Sequence, residues 1–257
     1  MERSLSQRML AEFVGTFTLI FIGAGSIIAS TQGGGGLVTI GLAHGLAIAV
    51  MVTAIGHVSG GHINPAVTAG AWVTQKISSR DAGAYILAQL AGGAAGAGLL
   101  RSALPSSFWE GVSLGTPLVS PSISNGQAIL IEAILTFFLV WVVFGTAVDP
   151  EGAFNKVAGL AIGFVITMDI FMGGPFTGAA MNPARAFGPA LVSGSWTGWW
   201  VYWIGPVAGG VLAASLYDMG ILRPHLTSPT EAVEPEHGIG AHGEEQDHET
   251  HPGHEHH

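Results

Sequence analysis

Two stretches decide the fold: Ser59-Gly60-Gly61-His62-Ile63-Asn64-Pro65-Ala66-Val67-Thr68 and Met181-Asn182-Pro183-Ala184-Arg185. Each contains the tripeptide Asn-Pro-Ala, followed by an apolar run over about 64–73 and 182–192. Asparagine is a preferred residue just before a helix, and proline fits the first helical position, where its missing N–H would have no partner. Ten residues make about 15 Å of helix. The sequence therefore predicts two half-length helices that begin inside apolar sequence.

The composition around these stretches is that of a membrane protein. Of 257 residues, 49% are hydrophobic and only 10% are charged, against roughly 25% charged in soluble domains. The absence of cysteine excludes disulfide scaffolds and cysteine-ligated metal centres. A bilayer core of about 30 Å requires roughly 20 apolar residues per helix. Six segments are long enough, at about 10–30, 37–57, 82–103, 126–148, 157–174 and 198–218.

The basic residues predict the orientation. With the N-terminus inside, the outer segments carry only Arg101, and Arg185 lies at membrane depth. The inner segments carry six basic residues, Arg3, Arg8, Lys76, Arg80, Lys156 and Arg223. Cytoplasmic loops are enriched in Lys and Arg. We therefore expect both termini in the cytoplasm.

The chain also repeats itself. Blocks that begin at Glu12, Gly41, Gly60 and Ala91 return in the same order at Glu132, Gly159, Gly178 and Ala208, after 117 to 120 residues. Such blocks at nearly one offset indicate duplication. Three spans in each half place the second half upside down, as in inverted-repeat transport proteins. The repeats cover about 5–104 and 126–222 of a predicted channel domain at 1–226.

Inversion brings the two half-helices in from opposite faces, so that their N-termini meet near the bilayer midplane. Non-helical backbone is tolerated at that depth only inside protein or along a water-filled cavity. Asn64 and Asn182 then offer amide donors beside two positive helix ends. A water that turns its oxygen to both donors turns its protons outward, which interrupts proton transfer. We expect the pore-lining carbonyls at Gly60, Gly61, His62, Gly178 and Ala180.

The chain resembles the aquaporin (major intrinsic protein) family over about 5–220. The resemblance lies in the two Asn-Pro-Ala tripeptides, called boxes below, in the residues around them and in the six spans. The resemblance implies an all-α membrane fold of six transmembrane helices plus two re-entrant half-helices in an inverted 3+3 repeat. It also implies a passive water channel and a homotetramer in a lipid bilayer, with one pore in each subunit.

By the same resemblance, an outer selectivity filter consists of His44, Ile170, Ala179 and Arg185. This set is most similar to that of plant tonoplast intrinsic proteins, whereas orthodox water channels have Phe and His at the first two positions. Ile and Ala at positions 170 and 179 predict a wider and less polar opening. We therefore expect ammonia, urea or hydrogen peroxide to pass with water, while the paired helix dipoles and Arg185 exclude protons and ions.

Two other transport classes remain as alternatives. A glycerol or small-solute facilitator resembles the chain less, because that branch has Asp and a basic residue where this chain has Ala186 and Ala190. A secondary transporter would need coupling-ion ligands near the midplane, where the boxes supply amides and one cation. The sequence shows no catalytic constellation, so we expect no enzyme activity, no cofactor and no nucleic-acid partner.

Three membrane acids need an explanation, because such residues normally mark ion or proton paths. The symmetric Glu12 and Glu132 are expected instead to accept hydrogen bonds from backbone N–H groups of the re-entrant loops. Asp169 neighbours Ile170 on a helix, so we expect it to avoid the pore and to find a polar loop or subunit partner.

The segment 227–257 carries eight acids and no Lys or Arg, which predicts a disordered, acidic, histidine-rich cytoplasmic tail. We expect no metal site in the protein, and His248, His251 and His254 are the candidates if the tail binds a metal. The tail is unlike that of the plant proteins, so a prokaryotic plasma membrane is the expected location.

Overall fold

The computed structural model describes residues 3–152 and 157–223. Over these residues the chain is helical and contains no strand. The helices are α1 (Leu5–Thr31), α2 (Gly36–Ser59), α3 (Pro65–Val73), α4 (Ser79–Ala103), α5 (Ser106–Trp109), α6 (Asn125–Val143), α7 (Ala158–Thr177), α8 (Pro183–Ser193) and α9 (Val201–Tyr217).

Six of these helices are long and apolar enough to cross a membrane, which confirms the predicted spans. They are Leu5–Thr31, Gly36–Ser59, Ser79–Ala103, Asn125–Val148, Ala158–Thr177 and Val201–Leu222, where α6 and α9 continue as wide turns. Two of them begin a few residues before the predicted spans, because polar caps extend the first turn. Ser4 accepts from the N–H of Gln7, and Ser78 accepts from the N–H of Asp81.

The short helices α3 and α8 begin at the prolines of the two boxes, with Asn64 and Asn182 as their N-caps. Each packs against the last long helix of the other repeat, α3 against α9 and α8 against α4. The approach is close enough to require glycine. A Cβ at Gly93 would lie 2.9 Å from the Ala184 carbonyl oxygen, and one at Gly210 would lie 2.9 Å from that of Ala66.

The remaining packing has the same twofold pattern. α1 packs against α4 as α6 packs against α9, and α2 and α7 pack against each other. This arrangement is the predicted inverted 3+3 repeat, and the all-α fold with two re-entrant half-helices is confirmed.

Two parts of the prediction need comment. The predicted loop between the repeats contains α5 and a segment of tight turns at Glu110–Gly115, in which Val112, Ser113 and Leu114 have non-helical backbone angles. The boundary at 226 and the tail at 227–257, with His248, His251 and His254, lie outside the described residues. Over 3–152 and 157–223, no group of three or more His, Asp or Glu residues could hold a metal ion.

Candidate functional site

Asn64 and Asn182, the asparagines of the two boxes, join the two re-entrant loops by hydrogen bonds. Asn64 Oδ1 accepts from the Ala66 N–H at 2.8 Å, and its Nδ2 donates across to the Met181 carbonyl oxygen at 2.8 Å. Asn182 mirrors this arrangement, since its Nδ2 donates to the Ile63 carbonyl oxygen at 2.9 Å. An amide nitrogen carries two hydrogens. Each asparagine therefore keeps one donor beyond the bond that joins the loops.

Glu12 and Glu132 are fully buried, and each is hydrogen-bonded to one re-entrant loop. Glu12 accepts from the N–H groups of His62 and Ile63 at 2.9 and 2.6 Å, and from the side chains of Ser59 and Gln89, both at 2.7 Å.

Glu132 accepts from the N–H groups of Ala180 and Met181 at 2.9 and 2.7 Å, and from the Thr177 hydroxyl at 2.7 Å. Hydrogen bonds to a charged acceptor are among the stronger ones in proteins. The two carboxylates therefore hold the loops in one conformation, and their oxygens are occupied by these bonds.

Two buried tyrosines complete these supports, and the sequence analysis did not single out this role. The Tyr85 hydroxyl donates to the Ser59 carbonyl oxygen at 2.8 Å, and the Tyr202 hydroxyl donates to that of Thr177 at 2.9 Å. The two tyrosines are 117 residues apart, which is the offset of the last repeated block. A search of the repeat for matching polar residues could have found them.

The backbone leading to each box is forced into unusual conformations. Ile63 and Met181 have φ values of 54° and 52°, in the left-handed region that non-glycine residues rarely adopt. Their carbonyls accept the asparagine amides, while those of Ser59 and Thr177 accept the tyrosine hydroxyls. The carbonyls at both ends of each loop are thus used inside the protein.

A narrow cavity is lined by both asparagines. Its lining also includes Gly61, His62 and Ala180, three of the predicted carbonyl positions. Gly178 instead lines an outer opening beside Arg185. Gly60 lines neither and ends α2 with a left-handed backbone. The long helices α1, α2, α6 and α7 contribute apolar side chains to the same lining, namely Leu19, Ile48, Val52, Leu139, Val143, Ile162 and Ile166.

The four residues of the predicted filter all line this cavity: His44, Ile170, Ala179 and Arg185. His44 Nδ1 lies 2.9 Å from the Ile40 carbonyl oxygen, so Nδ1 carries the hydrogen in the tautomer that satisfies both groups. Arg185 is 2% exposed, and its Nη1 donates to the Gly115 carbonyl oxygen at 2.9 Å.

Gly115 was missed by the sequence analysis. It lies in the connection between the two repeats, so the internal repeat offers no counterpart that could point to it.

Asp169 is placed away from the cavity, on α7. It is 1% exposed, and its Oδ2 has no hydrogen-bond partner among the described residues. No hydrogen bond from a polar loop to this oxygen is found within the described part of the chain, and a subunit partner stays a prediction.

Residues 1–217 match the family described as Major intrinsic protein. The chain belongs to this family. Its relatives include Aquaporin TIP1-2 of Zea mays, 43% identical over 235 residues, which cover 88% of this chain and 91% of that protein. Another is the Probable aquaporin TIP3-2 of Arabidopsis thaliana, 45% identical over 233 residues, with 86% and 85% covered.

A solved structure supports the same membership at the level of the fold. This member of the major intrinsic protein family is similar to the aquaglyceroporin from Plasmodium falciparum, with a TM-score of 0.76 and 27% sequence identity. The match covers 87% of this chain and 99% of that one. The chain is thus an integral, multi-pass membrane protein.

Proposed function

We propose that this protein is a passive water channel that also passes small neutral solutes and excludes protons and ions. The observation that carries the proposal is the pair of asparagine amides that line one cavity, each donating to a backbone carbonyl of the opposite re-entrant loop. The re-entrant loops contribute polar residues to the lining of that cavity, and the long helices contribute mostly apolar ones. A single file of water can form hydrogen bonds with the loop residues without being bound so strongly that it stops moving.

The relatives support water as the main substrate. Those reported above carry the name aquaporin and share more than 40% of their residues with this chain. The filter proposed at His44, Ile170, Ala179 and Arg185 adds ammonia, urea or hydrogen peroxide, because Ile170 and Ala179 leave its wall mostly apolar. The fixed guanidinium of Arg185 and the N-termini of α3 and α8 repel cations.

A glycerol facilitator is the second candidate, since the structural relative is an aquaglyceroporin. The higher identity to aquaporins, and Ala186 and Ala190 after the second box, favour water.

The test is uptake by proteoliposomes of pure protein, with water, ammonia, urea, glycerol and protons followed on one preparation. We expect fast water flow, measurable ammonia and urea uptake, little glycerol and no added proton leak. Glycerol uptake as fast as that of urea would favour the facilitator, and water flow equal to that of empty liposomes would contradict the proposal.

The assembly and location are part of the proposal. An exposed apolar face on α7, at Leu160, Phe164, Met168, Phe171 and Met172, suits lipid or a neighbouring subunit of a homotetramer. A channel domain at 1–226 followed by a tail at 227–257 also stays a prediction. The expected prokaryotic plasma membrane finds no support in the relatives reported above, which are plant proteins named TIP, the tonoplast type.

A further inference from the structure

We propose that Arg101 is a positioning residue for the selectivity of this channel, acting on Arg185 through two separate contacts. This inference rests on the proposed function, in which Arg185 narrows the outer opening. Arg101 lies near the outer end of α4, is exposed, and does not line the cavity.

The first contact reaches the helix that carries Arg185. Arg101 Nη1 donates to the Val192 carbonyl oxygen at 2.7 Å, in the last turn of α8. A cation at a helix C-terminus meets unsatisfied carbonyls and the negative end of the helix dipole. The contact therefore fixes the far end of the helix whose first turn holds Arg185.

The second contact reaches the segment that holds the Arg185 guanidinium. The Arg101 Cζ atom lies 5.1 Å from the centre of the Trp109 ring, within the range of a cation–π interaction. Trp109 is nearly buried and leads directly into the segment Glu110–Gly115, whose last carbonyl accepts from Arg185.

That segment would not keep its shape without anchors. Ser113 and Leu114 have φ values of 47° and 55°, and such strained residues persist only where surrounding contacts determine them. Leu114 is fully buried, and a Cβ at Gly115 would lie 2.8 Å from the Ala24 Cβ on α1. Thr116 Oγ1 also lies 3.2 Å from Ser193 Oγ at the end of α8. Arg101 adds a charged contact, through Trp109, to these packing and hydrogen-bond contacts.

The internal repeat gives an independent reason to treat Arg101 as an anchor. The residue 117 positions further on is Asp218, which pairs with Lys76 at 2.9 Å. Lys76 lies three residues after the end of α3, and Val192 lies in the last turn of α8. In each half, the same position of the repeat thus contacts a residue at or just beyond the far end of a re-entrant helix, and Asp218 also pairs with Arg223 at 2.7 Å. Arg101 is in addition linked, through Trp109 and the segment that ends at Gly115, to the filter residue Arg185.

The first test measures the anchor itself. Backbone amide hydrogen exchange over 110–116 is compared in the wild type, Arg101→Gln and the control Arg80→Gln, which removes an exposed arginine at the other end of α4. We expect faster exchange in Arg101→Gln alone. Equal exchange in all three would overturn the proposal, whether or not the protein conducts water.

The second test measures selectivity in proteoliposomes as the ratio of glycerol to water permeability. We expect Arg101→Gln to raise the ratio at least about twofold, the lower end of couplings within one network. Arg101→Lys keeps the charge but not the planar guanidinium that contacts Trp109, so we expect a smaller rise. Arg80→Gln should leave the ratio unchanged.

A double variant separates positioning from general loosening. If Arg101 acts through Arg185, then Arg101→Gln adds nothing to the ratio already raised by Arg185→Val. An Arg101→Gln channel that selects like the wild type, or an effect that adds fully to that of Arg185→Val, would overturn the proposal. A wild type that conducts no water would contradict the proposed function instead, and hydrogen exchange would still decide the role of Arg101.

Discussion

The imidazole of His44 is held by one hydrogen bond and one close packing contact. Its Nδ1 faces the Ile40 carbonyl, and its other edge lies against α1 at Gly23. These contacts fix the ring at the point where it lines the cavity together with Ile170 and Ala179.

Replacement of His44 by Phe should narrow the outer opening, because the six-membered ring is larger and has no hydrogen bond to Ile40. We expect urea uptake to fall more than water flow, since a narrower opening obstructs the larger solute first. The control is Leu46→Phe, at an exposed position of the same helix. Equal loss of all fluxes, or no loss, would argue against a filter at His44.

Glu132 gives a second prediction at this scale, because three donors point at its two oxygens. In Glu132→Gln, the amide nitrogen faces one of these donors and leaves it without an acceptor. A buried donor without a partner costs about 1–3 kcal/mol. We expect a lower midpoint of thermal unfolding in detergent than for Glu151→Gln, an exposed acid in a loop. Matching midpoints would mean that Glu132 does not support the loop.

At the scale of helices, α1 packs against the proposed filter although it contributes none of the four proposed residues. A Cβ at Gly23 would lie 2.6 Å from both Cδ2 and Nε2 of His44. The Cβ is bonded directly to the helix backbone and has no torsion of its own, so it cannot turn away from the ring. The imidazole would have to move toward the cavity.

We therefore expect Gly23→Ala to lower water permeability, and Gly23→Ala/His44→Ala to recover part of it. Gly25→Ala is the control, because its Cβ would meet only Leu100 Cδ1 at an ordinary 3.5 Å. Stopped-flow shrinkage of proteoliposomes measures all four proteins. Wild-type permeability in Gly23→Ala would show that the ring has another place to go.

The helices also show which parts of the fold could be predicted. The boxes fixed the starts of α3 and α8 because Asn and Pro have specific roles at a helix start. The helix at Ser106–Trp109 and the turn at Glu110–Gly115 were missed. Segments of four and six residues are too short to show a helical repeat of apolar residues. Their conformation depends instead on the tertiary contacts of Trp109 and Leu114.

At the scale of the whole molecule, duplication predicted most of what the structure contains. The repeat placed the half-helices opposite each other, and it assigned Glu12 and Glu132 to equivalent places. It could not predict contacts without a counterpart in the other half. The bond from Arg185 to Gly115 and that from Gln89 to Glu12 belong to this class, since Gln89 corresponds to Pro206 at the offset of 117.

The central claim is that water crosses this protein in a single file past Asn64 and Asn182. The most direct test is the temperature dependence of osmotic shrinkage in proteoliposomes, with empty liposomes of the same lipid alongside. A water-filled path predicts faster shrinkage and an activation energy close to that of diffusion in bulk water, well below that of the bare bilayer. Shrinkage with the rate and activation energy of the empty liposomes, from correctly folded protein, would contradict it.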